Sequence, residues 1–387
     1  MNIIYVGCFP PSFLIRRTNG RIDSLYRDAE PLIKGLRNHD KIALSVITSP
    51  DVKSWPKGPL FIHRESNSVE KVTLVSSLNL SIIKQPWTII SMAVEVGRLL
   101  RKSRDKVAVI IPYIVFRHVV TLRLLHLLFP HKVIQICVVP DIFFPKNKLS
   151  QMINRLTEKM ASRFDGYLLY TERMAEHLKL NNGNYVVIEG YRDVPNRRPE
   201  IIGDFWVVYA GSLNLNYGLG RLVEAMNFIK DPKVQLHLYG GGSAEQYVKE
   251  KALLDNRIIY HGRVSNAEAT DAIYRSSVLV NPRNANDGEY TEYSFPSKDI
   301  EYMSTGVPTL LCKLPGMPPE YLGHFVDIEE GTPAQIANAI IRIKNMTQEE
   351  REEIGQDSRN FIIERMDCNK QAERIIGLIN SMAVSES

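Results

Sequence analysis

Residues 281–308 read NPRNANDGEYTEYSFPSKDIEYMSTGVP. Arg283 follows an apolar run of strand character, and Lys298 lies at the start of a segment of helix character that should begin near Ser297. Two cations beside first-turn backbone N–H groups suit an anion with several charged oxygens, such as a diphosphate. Glu301, about one turn after Ser297, could accept hydrogen bonds from ribose hydroxyls. An exposed helix start would account for Lys298 or Glu301 singly. The coincidence of four suitable groups favours a binding site.

Three further turns carry residues suited to the same ligand. In YAGSLNLNYGLGRLVEA (209–225), a strand runs into Gly211 and Ser212, and a helix begins near Gly218. Small residues there let backbone N–H groups approach a phosphate. In LYGGGSAEQY (238–247), Gly240 and Gly241 follow a strand. They allow either close backbone packing or a ligand passing over them. The segment has no GKS or GKT and no GxGxxG after a first strand, which excludes a P-loop and the dinucleotide fingerprint. In HGRVSNAEAT (261–270), Ser265 and Glu268 form a capping box that needs no functional explanation. Arg263 and Val264 just before it fall at a strand's carboxyl end, where a flat base could lie.

The elements that position these groups read as α/β. Near-continuous apolar runs at 2–7, 41–48, 107–113, 132–141 and 165–171 predict parallel strands buried on both faces. A helix is expected over 23–39, with Leu25, Ala29, Leu32, Ile33 and Leu36 on one face. Residues 190–204, with two prolines and many charges, read as a linker. The rhythm then restarts, with strands at 205–211, 234–242, 256–264, 277–283 and 307–313. Two doubly wound domains with a cleft between their sheets are expected, ligands lying beyond the carboxyl ends of the strands. The boundaries are 1–198, 199–368 and a C-terminal helix, 369–387, that returns to the first domain.

Composition narrows the classes. A chain of 387 residues is long for one core. No apolar run is long enough to span a bilayer, and MNIIYVGCF reads as a first strand and not as a signal peptide. Cys8, Cys137, Cys312 and Cys368 form no CxxC pair, which points to a reducing, cytoplasmic setting without structural zinc. Residues 1–200 carry 30 Lys and Arg against 17 Asp and Glu, a balance of +13; the rest carries 18 against 26, a balance of −8. The basic half suits anionic lipid, an acidic saccharide or a phosphate-linked acceptor, and lacks a nucleic-acid-binding signature. The apolar and basic stretch 114–132 reads as a buried helix, or as one resting on a membrane surface. His118 within it reads as a core or surface histidine.

The run NPR…YSFPSK..EYMSTGVP, after YAGSL…YG…L..A and the HGRV segment, resembles the retaining glycosyltransferases of family four, the polysaccharide and cell-surface glycan enzymes in particular. The resemblance covers 205–321 well and the first half loosely. It implies a GT-B fold: two Rossmann-like domains facing a cleft, a nucleoside-diphosphate sugar held by the second and a glycan or lipid-linked acceptor by the first. It implies metal-independent transfer, with no cofactor beyond the donor substrate. Tyr293, Ser294, Phe295, Pro296 and Ser297 fall in its donor-binding motif with Lys298 and Glu301. In GCFPPSFLIRRTNGR (7–21), Gly20 and the basic Arg16, Arg17 and Arg21 match its acceptor-side loop, and Asp141 its polar strand-end position. The chain departs from the family at Gly211-Ser212, where Gly-Arg is usual, at Tyr217-Gly218, where Lys-Gly is usual, and at Tyr293, next to Glu292, where the first of two paired glutamates is usual. A nucleotide-sugar epimerase of the same architecture and a non-catalytic sugar-nucleotide-binding subunit are the alternatives.

Overall fold

A computed structural model describes residues 1–387 except 8, 10–23, 50–51, 146, 181–182, 193, 202, 294 and 385–387, and the backbone alone at 24–28 and 384. Arg16, Arg17, Gly20, Arg21 and Ser294 therefore lie outside the described residues. The chain forms two compact units, Met1–Asp193 with Cys368–Ser387, and Val194–Asp367.

The first unit runs β1 (Asn2–Gly7), α1 (Ser24–Arg37), β2 (Ala43–Thr48), the short strands β3 (Phe61–Ile62), β4 (Glu65–Asn67), β5 (Val72–Leu74) and β6 (Ser77–Leu78), then α2 (Lys84–Lys102), β7 (Val107–Pro112), α3 (Phe116–Leu128), β8 (Val133–Val139), α4 (Lys148–Ala161), β9 (Gly166–Leu169), α5 (Glu172–Leu178) and β10 (Tyr185–Val187). Among the described residues its main sheet has eight strands in the order β10-β9-β8-β7-β1-β2-β5-β4. All neighbours are parallel except β4 and β5. Every residue of β7 and β8 is buried, as strands covered on both faces require. On α1, Ala29, Leu32, Ile33 and Leu36 are buried, the face the apolar spacing marks. His118 is also buried, and desolvation pushes its pKa down to about 3, so it is a neutral core residue.

The second unit runs β11 (Phe205–Ala210), α6 (Leu219–Ala225), β12 (Val234–Tyr239), α7 (Glu245–Leu254), β13 (Ile258–Gly262), α8 (Asn266–Arg275), β14 (Val278–Asn281), α9 (Ser297–Met303), β15 (Thr309–Leu311), β16 (Val326–Asp327), α10 (Pro333–Asn345) and α11 (Gln348–Met366). Its sheet is parallel, in the order β13-β12-β11-β14-β15-β16. The expected capping box of Ser265 and Glu268 opens α8. Helix α12 (Cys368–Val384) then packs against α1. Gly35 permits that approach: a Cβ there would lie 2.1 Å from the Cys368 carbonyl oxygen.

From Val194 onward the stretch expected as a linker belongs to the second unit. Arg359 donates to the carbonyls of Pro195 (2.7 Å) and Ser304 (2.6 Å), and Arg197 pairs with Asp271 (2.7 Å) and covers the Tyr274 ring. The Glu200 N–H also donates to the Tyr274 carbonyl at 2.8 Å, so arginine side chains and this backbone bond together satisfy groups of this proline-containing segment.

Candidate functional site

The strand order of the second sheet reverses where β11 lies beside β14. Ligands in open α/β sheets bind beyond the carboxyl ends of the strands at such a switch point. Gly211 follows β11, and Pro282 and Arg283 follow β14.

Helix α9 is locked to the end of β11 by a buried tyrosine. The Tyr302 hydroxyl accepts from the Ala210 N–H at 2.8 Å and donates to the Ala210 carbonyl at 3.2 Å. This anchor brings Lys298, about one turn earlier, against the Gly211 turn. A Cβ on Gly211 would lie 2.3 Å from Lys298 Nζ, and Gly211 has φ +151°, so glycine serves both the backbone conformation and the space. Lys298 Nζ sits 3.6 Å from the centre of the Tyr209 ring, whose hydroxyl donates to the Ser212 carbonyl at 2.8 Å.

Arg283 is placed by bracing of its loop. Arg221 of α6 makes two 2.8 Å bonds to Asp287 and one of 2.7 Å to the Pro282 carbonyl. The Tyr290 hydroxyl donates to the Asn216 carbonyl at 3.0 Å. The Arg283 guanidinium lies 4.3 Å from the Tyr217 ring centre and 5.3 Å from that of Tyr290. Tyr217, where the resembled family usually has a lysine, thus forms an aromatic platform for Arg283.

The charges are mutually strained. Desolvation, then the neighbouring Arg283 cation, pushes the Lys298 ammonium down to about 7, against the pull of Glu301 and Asp299. Burial pushes the Asp299 carboxyl up to about 6, opposed by the Asn281 amide bonded to it and by Arg283 and Lys298. Two half-buried cations held near each other favour an incoming anion. Helix α9 has only seven residues, so these side chains carry most of the positive potential.

The remaining candidates divide. Gly240 and Gly242 are packing residues: a Cβ would meet the carbonyl oxygens of Gly211 at 1.9 Å and Leu213 at 2.3 Å. Gly241 gives room to the Arg263 and Glu245 side chains, which approach to 3.7 Å. Arg263 therefore faces a carboxylate and does not join the Arg283 and Lys298 pair. Val264 packs on a small core, and the Phe295 ring is buried against Tyr321. Pro296 caps α9 and is buried; Ser297 is exposed. Tyr293 and Glu301 are half-buried, and Ser212 is exposed beside Gly211. Asp141 belongs to the first unit, where it lines a 440 Å³ cavity with Tyr113, Phe116, Phe143 and Ile153.

Sequence reasoning missed Asp299, Asn281, Tyr302 and the Arg221–Asp287 clamp. Asp299 and Asn281 are adjacent to motif residues, and their polarity inside apolar segments was the available signal. The clamp spans 66 positions and left no local trace.

Residues 204–345 match the sequence model of the family glycosyl transferases group 1. No curated protein sequence matches the chain. Among solved structures, HepE from Anabaena in complex with UDP is 14% identical with a TM-score of 0.67, covering 98% of this chain and 100% of its own. Sucrose-phosphate synthase from Thermosynechococcus elongatus gives 14% and 0.67 over 100% of both chains. The lipopolysaccharide outer core galactosyltransferase WaaB gives 16% and 0.62 over 98% and 99%. The fold is that of the GT-B glycosyltransferases, with two Rossmann-like α/β units.

Proposed function

We propose that this chain is a retaining glycosyltransferase of family four, moving a sugar from a nucleoside diphosphate to a hydroxyl of a glycan or lipid-linked acceptor. The supporting observation is the convergence of Arg283 and Lys298 at the β11–β14 switch point, inside the segment that matches the glycosyltransferase family. HepE was crystallised with UDP, which makes uridine nucleotides the first donors to test.

The sugar–phosphate bond breaks with its electrons passing to the diphosphate. Arg283 and Lys298 neutralise the oxygens on which charge accumulates, without a metal ion or other cofactor. Removing one such donor costs about 3 kcal/mol of transition-state stabilisation, near a hundredfold in rate. Glu301 holds the ribose, and the backbone at Gly211, Ser212 and Val264 borders the nucleotide. Asp141 serves the acceptor side. The acceptor hydroxyl enters on the face the diphosphate leaves and gives its proton to the departing phosphate oxygen as its own oxygen bonds the anomeric carbon, so the anomeric configuration is kept. The setting is cytoplasmic synthesis of cell-surface polysaccharide.

The test is incubation of a nucleotide-sugar panel with and without saccharide and lipid-linked acceptors, products being read by NMR. Acceptor-dependent product with retained anomeric configuration, in the presence of EDTA, is expected. A new epimer from donor alone, or donor binding without turnover on any acceptor, would replace this reading.

A further inference from the structure

Helix α4 is amphipathic in the reverse of the usual sense. Its fully buried positions are Thr157 and Ala161. Leu149, Met152, Ile153 and Leu156, spaced to form one stripe, are 64%, 63%, 41% and 53% exposed. Just before the helix, Phe143 is 71% exposed, and its carbonyl accepts from the Asn154 amide at 3.0 Å, which ties that loop to α4. Helix α3 packs between α4 and α2. Around the start of α2 a second stripe, Ile83, Trp87, Ile90 and Val94, is likewise exposed. Single exposed apolar residues are ordinary, but two helical stripes in one layer mark an interaction surface.

We propose that the α2–α3–α4 layer of the first unit docks on an anionic phospholipid bilayer, with the α4 stripe in the interface. Charge selects the occupant. Lys148, Arg155 and Lys159 run along one flank of the stripe, all exposed. Residues 1–200 carry a balance of +13, so the same face of a second copy would bring like charge, whereas an anionic lipid surface brings the opposite sign. Among the described residues no helix is long and apolar enough to cross a membrane, so the contact is a surface one. In the 114–132 stretch Val119, Leu122 and Leu125 of α3 face the core, whereas Leu127 and Leu128 at its end are 76% and 60% exposed, so the contact extends from that stretch to the helices on either side of it.

The docking surface is independent of the donor reading, and the test keeps them apart. The full chain is sedimented with vesicles of phosphatidylcholine plus phosphatidylglycerol, and of phosphatidylcholine alone. Binding to the anionic vesicles, released by salt, is expected. Leu149→Asp with Leu156→Asp should lower partitioning by about tenfold or more. Each of Lys148→Ala and Arg155→Ala should lower it by about fivefold. Melting temperatures of the variants without ligand should stay within a few degrees of the parent's, which shows that they fold. Absence of binding to anionic vesicles overturns the proposal, as does equal binding by the variants. So does a concentration-dependent dimer that the double aspartate variant abolishes.

Discussion

Lys298 should make UDP binding dependent on pH in a direction set by its surroundings. Its pKa in the free protein is about 7, lowered by desolvation and by Arg283. A diphosphate beside it favours the ammonium, so the pKa rises on binding and a proton is taken up above pH 7. For a complex pKa well above the working range, the dissociation constant grows with the neutral fraction of the free protein. From pH 7 to 8.5 that factor is on the order of tenfold, or about 2 kcal/mol at most. Titration calorimetry at pH 8 in buffers of different ionisation enthalpy should find about 0.9 proton taken up per UDP. Lys298→Met should bind weakly with no such uptake. Affinity unchanged across this range, with no proton uptake by the parent, would refute the placement of Lys298 against the diphosphate.

Other consequences follow from the same geometry. Gly211→Ala places a methyl 2.3 Å from Lys298 Nζ and strains the φ +151° backbone, so donor turnover should fall about a hundredfold, measured as UDP release. Arg221→Lys should lower kcat/KM for the donor, because a lysine cannot reproduce the paired bonds to Asp287 that brace the Arg283 loop. Tyr217→Leu removes the platform under Arg283 and should weaken UDP binding about fivefold, read by calorimetry. The Asp299 carboxyl is raised to about 6, so its charged form is costly in the fold and its contribution to stability falls as pH rises from about 4 to 6. Asp299→Asn should therefore gain up to about 3 kcal/mol at pH 8 in chemical denaturation, with the gain vanishing below pH 4.

The parallel sheets were legible because their strands are buried on both faces and read as unbroken apolar runs. Helix α9 was legible from the SFPSK turn, and Arg283 and Lys298 from their places after β14 and within α9. The short strands β3 to β6 were not, since two or three residues carry no period. The Gly240–Gly242 turn showed its glycines but not their use: only the register of β11 beside β12 reveals that Gly240 meets the Gly211 carbonyl. The outward stripe of α4 has a helical period, but periodicity does not say which side faces the core.

The most direct test of the account is UDP binding by the parent and by Arg283→Ala with Lys298→Ala, followed by thermal shift. UDP should raise the melting temperature of the parent with the logarithm of ligand excess, and should leave the double variant unmoved at the same concentrations. A double variant that melts normally without ligand and is still stabilised by UDP to the parent's extent would contradict the claim that this pair holds the diphosphate.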